Sequence, residues 1–183
     1  MPKLEKVPIL IGTLALVITL PMVVFLTTRK EPTALRTRAG VEQESLLYLW
    51  PAQVTTTLET NGSFQIDVTL NTQGQESGGV DIVISFDPDI LELVDNTIEP
   101  GIIFGNYFGR QVDHRKGIVQ ISATGQFSGQ GRVAGLSFRP LKRGETAVDL
   151  VFKTGGAQEC AVWDTTEKKD LLKAVNGTII TVN

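Results

Sequence analysis

Side chains that could carry out covalent or metal chemistry are scarce in this chain. Its 183 residues include one histidine, His114, and one cysteine, Cys160. A zinc site needs three or four such ligands, and a catalytic triad needs a histidine between a nucleophile and an orienting carboxylate. A single cysteine also excludes an internal disulfide. We therefore interpret His114 as an exposed loop residue and Cys160 as a small apolar residue of a strand.

Four aspartates lie close together in the sequence, at Asp81, Asp87, Asp89 and Asp95. Their spacing does not fit the twelve-residue calcium loop, in which oxygen ligands recur at alternate positions. No histidine or apolar pocket accompanies them, as acid–base catalysis by a carboxylate pair would require. We interpret them as carboxylates that cap turns. The chain is thus predicted to contain no catalytic residue, no metal site and no cofactor site, and not to be an enzyme.

The glycine-rich segment GQGRVAG, residues 129–135, superficially resembles a phosphate-binding loop. Such a loop opens a helix whose N-terminal amides receive the phosphates. Here apolar residues continue at every second position, at Ala134, Leu136 and Phe138, which predicts a strand. The segment is therefore interpreted as a tight turn followed by a closely packed strand.

From Leu46 onward, short segments alternate between apolar and polar residues. Ser63–Asn71, Gly79–Phe86 and Thr146–Phe152 are the clearest of them, and glycine-containing turn sequences separate the segments. Strict alternation indicates half-buried strands in antiparallel sheets, each with one face on a shared core. Many short strands in about 140 residues predict an all-β sandwich of two sheets.

The first forty-five residues have a different character. Residues 7–28 contain no charged side chain, and as a helix they would span about 33 Å, enough to cross a hydrocarbon core of about 30 Å. We predict a short tail over residues 1–6, a transmembrane helix or signal anchor over 7–28, a polar linker over 29–45 and a domain over 46–183. A cleaved secretory signal is the competing interpretation, although the apolar run exceeds the usual apolar core of about 7–15 residues.

Charge is distributed unevenly between these parts. Residues 1–38 carry six Lys/Arg and two Glu, a net charge of +4, whereas the remainder carries eleven Lys/Arg and eighteen Asp/Glu, a net charge of −7. An acidic domain is a poor ligand for nucleic acid, because affinity for phosphates needs clustered cations. Four basic residues closely follow the apolar stretch, and this count alone favours a cytoplasmic C-terminal domain.

Taken together, the motifs of residues 47–182 resemble those of a cohesin domain, the module of cellulosome scaffolds and related bacterial surface proteins. The most specific match is GVDIVISFDPDILELV, residues 79–94, because cohesins carry a similar segment that ends a strand in Asp-Pro. Proline cannot donate to the ladder, so the strand must end there, and Asp87 can cap the turn that follows. Further matches, in chain order, lie at residues 47–52, 61–70, 117–122, 131–138, 144–146 and 162–164.

The resemblance implies a nine-strand jelly-roll β-sandwich, here preceded by a single transmembrane helix. It implies a protein-binding module that docks a dockerin-type domain or another extracellular protein, with a link to polysaccharide degradation in some settings. A dockerin is a small calcium-loaded helical domain, so any calcium is expected on the partner. Because cohesins act outside the cell, we expect a single-pass protein of the cell membrane with its C-terminal domain outside, against the charge count.

The resemblance also implies a binding face. In cohesins that face includes strands that match two segments of this chain, and the alternate residues on them are Asp81, Val83, Ser85, Gln120, Ser122 and Thr124. Val83 would be an apolar anchor among polar groups, a mixture suited to a protein partner. A solvated face with one stray valine is the alternative interpretation.

Two other functions stay open at this point. A structural or adhesive surface module would use the sandwich as a spacer or assembly unit, and it would be indifferent to calcium. A carbohydrate-binding module would stack sugar rings on surface aromatics, for which Tyr48 and Trp50 are the candidates. Polysaccharide is the weaker partner prediction, because the sequence shows no line of surface aromatics.

Overall fold

The described part of the chain is built from β-strands. The structure, a computed structural model, describes residues 44–58, 62–94, 98–152, 159–167 and 169–183, and these residues contain no α-helix. They fall within one compact unit, Glu42–Asn183. Their thirteen strands are β1 (Ser45–Trp50), β2 (Gln53–Thr56), β3 (Phe64–Asn71), β4 (Ser77–Phe86), β5 (Leu91–Leu93), β6 (Glu99–Pro100), β7 (Asn106–Asp113), β8 (Ile118–Phe127), β9 (Gln130–Pro140), β10 (Gly144–Leu150), β11 (Ala161–Asp164), β12 (Leu172–Asn176) and β13 (Thr178–Val182).

The strands pair into two sheets. The six-stranded sheet has the order β12-β1-β3-β9-β5, with β6 also paired to β9, and the seven-stranded sheet has the order β2-β13-β10-β4-β8-β7, with β11 also paired to β4. Most consecutive strands lie in different sheets, so the chain repeatedly crosses the core. This confirms the predicted all-β sandwich. The described residues hold more strands than the nine predicted, because short segments such as β5 and β6 add pairing along longer strands.

Alternation along the long strands creates the core. In β3, Ile66, Val68 and Leu70 are fully buried, and in β4, Val80, Ile82 and Ile84 are at most 1% exposed. Alternate residues of a strand face opposite sides of a sheet, so each strand contributes one buried row and one outward row. The predicted half-buried strands are confirmed for both segments.

Three aromatic rings tie the two sheets together. Phe138 of β9 is fully buried; its ring stacks on Phe64 of the neighbouring β3, with 6.1 Å between centroids. Its other contact is edge-on with Phe86 of β4, in the opposite sheet, at 5.3 Å. Offset and edge-on aromatic pairs add to the stabilisation from burial alone.

The Asp-Pro sequence after β4 forms the predicted capped turn. The Asp87 Oδ1 atom accepts a hydrogen bond from the Asp89 amide at 2.9 Å, and the Asp87 carbonyl accepts one from the Leu91 amide, also at 2.9 Å. The chain then enters β5, whose Leu91 and Leu93 are buried in the core. Asp95, the last of the four clustered aspartates, lies outside the described residues.

A bulge in β9 reverses which side chains face outward. Val68 of β3 pairs with Ala134, but Thr69 pairs with Arg132, so Val133 is an extra residue in β9. One extra residue moves the rest of a strand to the opposite face, because side chains alternate with period two. Arg132 therefore faces outward with Thr69, although it lies two residues from the buried Ala134.

The carbonyl of that extra residue accepts hydrogen bonds from groups that do not belong to the neighbouring strand β3. The Tyr107 hydroxyl, from β7 in the other sheet, donates to the Val133 oxygen at 2.6 Å, and the Gly101 amide donates to it at 2.7 Å. Such partners are needed because a buried carbonyl left without a hydrogen bond is costly. The glycine segment 129–135 is a turn followed by a strand, as predicted.

No helix among the described residues is long and apolar enough to cross a membrane. The predicted tail and transmembrane helix, and the linker up to residue 43, lie outside the described residues. Strand β1 begins at Ser45, one residue before the predicted start of the domain.

Replacing Phe138 by alanine should lower the free energy of unfolding by about 3–5 kcal/mol, because a fully buried ring between two others is lost. Urea unfolding followed by far-UV circular dichroism measures the change. Phe108→Ala is the matched control, since Phe108 is 69% exposed and its loss should cost less than about 0.5 kcal/mol. Equal losses in the two variants would contradict the central position of Phe138.

Candidate functional site

The six residues of the predicted binding face come together on two paired strands. Strands β4 and β8 run antiparallel, and their register sets Asp81 opposite Ser122, Val83 opposite Gln120 and Thr124 opposite Gly79. Ser85 lies at the end of the same row, opposite Ile118. All six alternate with core residues, so they belong to the outer face of the seven-stranded sheet. We call this surface the β4–β8 face.

Asp81 is the most constrained polar group of the β4–β8 face. The Ser122 hydroxyl donates to its Oδ1 atom at 2.6 Å, and the Trp163 indole N–H donates to its Oδ2 atom at 2.8 Å. Both carboxylate oxygens therefore have a fixed donor, and hydrogen bonds to a charged acceptor are stronger than neutral ones. The two contacts hold the carboxylate and the indole ring in one arrangement.

Trp163 was not predicted as a site residue. Strand β11 brings it beside β4, where it pairs with Gly79, and the side chain remains 43% exposed. It lies 82 positions from Asp81 in the sequence, so only the pairing of β11 with β4 reveals the contact. The available signal was the match of residues 162–164 to the cohesin pattern, which did not indicate a role.

Val83, predicted as the apolar anchor of this face, is almost fully covered. It is only 8% exposed, because it lies where β10 ends and β11 begins along β4. In that interval the Val151 amide donates to the Val83 carbonyl at 2.8 Å. The Cys160 Sγ atom lies 3.3 Å from both the amide nitrogen and the carbonyl oxygen of Val83. This packing closes the surface at the position where an anchor was expected.

An exposed phenylalanine lies at the far side of β8 instead. The pairing of β7 with β8 shifts between Tyr107 and Gly109, and the extra residue, Phe108, is 69% exposed. Gly109 pairs with Ser122, and a Cβ at that glycine would lie 3.1 Å from the Ser122 Oγ atom. The site thus contains a polar centre, Asp81 with Ser122, and exposed aromatic rings on β11 and β7.

The β4–β8 face offers hydrogen-bonding and aromatic groups to a ligand. Within the described ranges, no group of three or more His, Cys, Asp or Glu side chains is placed to hold a metal ion. His114 lies in the turn between β7 and β8, as predicted. Cys160 is 2% exposed, and burial raises the pKa of its thiol to about 11, so it is not a reactive nucleophile.

The two aromatic residues assigned to carbohydrate lie on the other sheet. Tyr48 and Trp50 belong to β1, and their side chains are on the outer face of the six-stranded sheet. Trp50 is 62% exposed. The two predicted sites therefore occupy opposite faces of the sandwich, and one does not extend the other.

Comparison with protein families gives one assignment for this domain. The model of the cohesin domain matches residues 50–180. A comparison with curated proteins gives no match.

Solved structures with the same fold are cohesins of low sequence identity. A type II cohesin domain from the cellulosome of Acetivibrio cellulolyticus is 14% identical, with a TM-score of 0.60 over 75% of this chain and 95% of that one. A non-cellulosomal cohesin from the archaeon Archaeoglobus fulgidus is also 14% identical, with a TM-score of 0.56 over 76% and 91%. A cohesin–dockerin complex from Clostridium thermocellum gives 14% identity and a TM-score of 0.56 over 76% and 92%.

The buried thiol of Cys160 should make stability depend on pH in the alkaline range. Its pKa is raised in the folded state to about 11 from about 9, so above pH 9 the unfolded chain loses this proton first. Its contribution to stability is therefore complete below about pH 9 and is lost as the pH rises toward 11. Urea unfolding at pH 8, 9, 10 and 11 measures this decline.

Cys160→Ala is the matched variant for that measurement. It should be less stable at neutral pH because a cavity forms, yet its stability should fall less steeply between pH 9 and 11. Identical slopes in the two proteins would show that the thiol does not titrate in this range. Rapid alkylation of the folded protein at pH 7 would contradict the burial of Cys160.

Proposed function

The chain belongs to the cohesin family, and we propose on that ground that it is a protein-binding module which docks a dockerin-type domain, or another extracellular protein, on its β4–β8 face. The family model covers residues 50–180, nearly the whole described domain. Cohesin domains are non-catalytic, in keeping with the scarcity of reactive side chains in this sequence. Any calcium in the complex would be carried by the dockerin.

The observation that carries this proposal is the fixed Asp81 carboxylate between exposed aromatic rings. A donor holds each of its oxygens, so the group loses little conformational freedom when a partner arrives. Interface hot spots are enriched in tryptophan, and interfaces in general are enriched in aromatic residues, phenylalanine included. Trp163 and Phe108 supply such rings on either side of the polar centre.

The solved relatives support the class of partner. Several of the structures with this fold are named as complexes of a cohesin with a dockerin, including those from Clostridium thermocellum and Acetivibrio cellulolyticus. Their identity to this chain is 12–14%, which supports the shared fold.

We propose further that residues 7–28 anchor the chain in the cell membrane and that the domain lies outside the cytoplasm. The support is the charge-free stretch itself, which is long enough to span a bilayer. The residues that follow it include Pro32 and Gly40 and would act as a spacer between membrane and domain. The outward orientation follows from the extracellular function proposed for the domain.

Replacing Trp163 by alanine should weaken binding of the dockerin-type partner by about tenfold or more, because it removes an exposed ring and one of the two donors to Asp81. The full chain, tagged and purified, captures proteins from the secreted fraction of its own cells with calcium and with a chelator. Capture of a protein with paired calcium loops, lost on chelation, identifies the partner. Titration calorimetry then gives the affinities of the variants.

Trp50→Ala is the matched control for that experiment, because it removes the same side chain from the opposite sheet. Its affinity for the partner should equal that of the unchanged chain. If Trp163→Ala and Asp81→Lys both bind the partner as tightly as the unchanged chain does, the β4–β8 face is excluded as the binding site. If a well-folded chain captures no calcium-loop protein and instead self-associates in ultracentrifugation, the structural or adhesive function is favoured.

Replacing Leu16 by lysine should release the chain from the membrane fraction. A charge at the centre of a transmembrane helix costs about 2.5–3.5 kcal/mol on insertion scales. Membranes washed at alkaline pH and probed for the domain measure retention, and protease added to intact cells reports its orientation. Thr33→Lys is the control, because it introduces the same single positive charge outside the apolar stretch. A mature chain that begins after residue 28 would instead establish a cleaved signal.

A further inference from the structure

A groove crosses the outer face of the six-stranded sheet. It has a volume of about 390 Å³, within the range of about 300–1,000 Å³ typical of small-molecule sites. Its side chains come from three neighbouring strands: Tyr48 and Trp50 from β1, Asp67 and Thr69 from β3, and Gln130 and Arg132 from β9. We call it the β1–β9 groove. The proposed partner face does not use it.

The aromatic side of the groove is held in place by neighbouring groups. Tyr48 and Trp50 are two residues apart on one strand, so their rings leave the same face about 7 Å apart along it. The Gln130 side-chain amide donates to the Tyr48 hydroxyl at 2.8 Å. Trp50 is 62% exposed, and its ring is therefore available to a ligand.

The polar side of the groove is an ordered network. The Arg132 Nη1 atom lies 3.3 Å from the Asp67 Oδ1 atom and 3.8 Å from the Glu99 Oε2 atom. The Gln65 side-chain amide also donates to Asp67 Oδ1, at 3.0 Å. The lack of a side chain at Gly135 leaves room for the contact between Gln65 and Asp67, since a Cβ there would lie 2.6 Å from the Gln65 Nε2 atom.

The form of the groove limits the class of ligand. Strands β1, β3 and β9 are each paired on both sides, so no row of free backbone groups is available to add a peptide strand. Recognition must come from flat aromatic faces beside planar hydrogen-bonding groups. A sugar ring meets that requirement, because its C–H faces pack on the electron-rich faces of aromatic rings while its hydroxyls reach the polar groups at the edge.

The charges of the groove favour a neutral ligand. Arg132 is its only cationic side chain among the lining residues, and two carboxylates, Asp67 and Glu99, lie within 4 Å of it. A phosphate or an acidic sugar would find no uncompensated positive charge here. The guanidinium has further N–H donors and the carboxylates have further lone pairs, so these groups can donate to and accept from uncharged hydroxyls.

We propose that the β1–β9 groove binds a segment of a neutral polysaccharide, with Tyr48 and Trp50 as the stacking platform and Asp67, Gln130 and Arg132 as the groups that contact hydroxyls. Because the groove and the partner face are on opposite sheets, the domain can hold a polysaccharide and a protein at the same time. This binding does not depend on the proposed docking function.

Tryptophan fluorescence provides a direct test. The chain has two tryptophans, Trp50 and Trp163, so the full-length Trp163→Ala variant reports on Trp50 alone. Cello-, xylo- and manno-oligosaccharides are titrated into it to millimolar concentration, with oligogalacturonate as the acidic comparison. A saturable change with at least one neutral series, little affected by added salt, is the expected result.

Variants of the full-length chain locate the site. Tyr48→Ala and Arg132→Ala in the Trp163→Ala background should each lower the affinity measured by this fluorescence titration about tenfold or more. For Trp50→Ala, which removes the reporter, retention on the corresponding insoluble polysaccharide is compared with retention of Trp163→Ala. Trp50→Ala should no longer be retained, whereas Trp163→Ala should still be retained.

Three results would overturn the proposal: no response to any neutral series, a preference for oligogalacturonate that disappears in salt, or unchanged retention of Trp50→Ala. A circular dichroism spectrum for each variant shows whether the sandwich is intact. Loss of dockerin binding in Trp163→Ala, with polysaccharide retention kept, separates this proposal from the docking function.

Discussion

The inner row of strand β4 is the constraint on which the other features depend. Val80, Ile82 and Ile84 are buried in the core, while the strand pairs with β8 on one side and with β10 and β11 on the other. A shift of one residue would bring Asp81 and Ser85 into the core, at a cost of several kcal/mol for an unpaired charge. The burial of one row therefore fixes the outward position of the other.

Bulges then decide what each outer face presents. The bulge in β7 leaves Phe108 exposed next to Ser122, and the bulge in β9 turns Arg132 outward beside Asp67. Tyr107 connects the two, because it precedes Phe108 in β7 and donates to the carbonyl of Val133, the extra residue of β9. Without its bulge, β9 would direct Arg132 toward the core, and β7 would have no additional residue beside Ser122.

The two faces differ in chemistry although they share one core. The β4–β8 face centres on a carboxylate whose oxygens are already bonded, between exposed rings that a protein partner can cover. The β1–β9 groove combines a pair of rings with a balanced set of charged and amide groups. A sandwich suits this division, because its two outer surfaces are separated by the core and can be occupied independently.

The sequence by itself determined the long strands, their buried rows and the capped turn at Asp87. These features follow from local periodicity and from turn residues, which are visible in a single chain segment. The tertiary structure alone decided that Val83 is covered, that Trp163 meets Asp81 and that Arg132 faces outward. Each of these depends on the register between strands distant in sequence, and one inserted residue or one additional paired strand changes the outcome without any local signal.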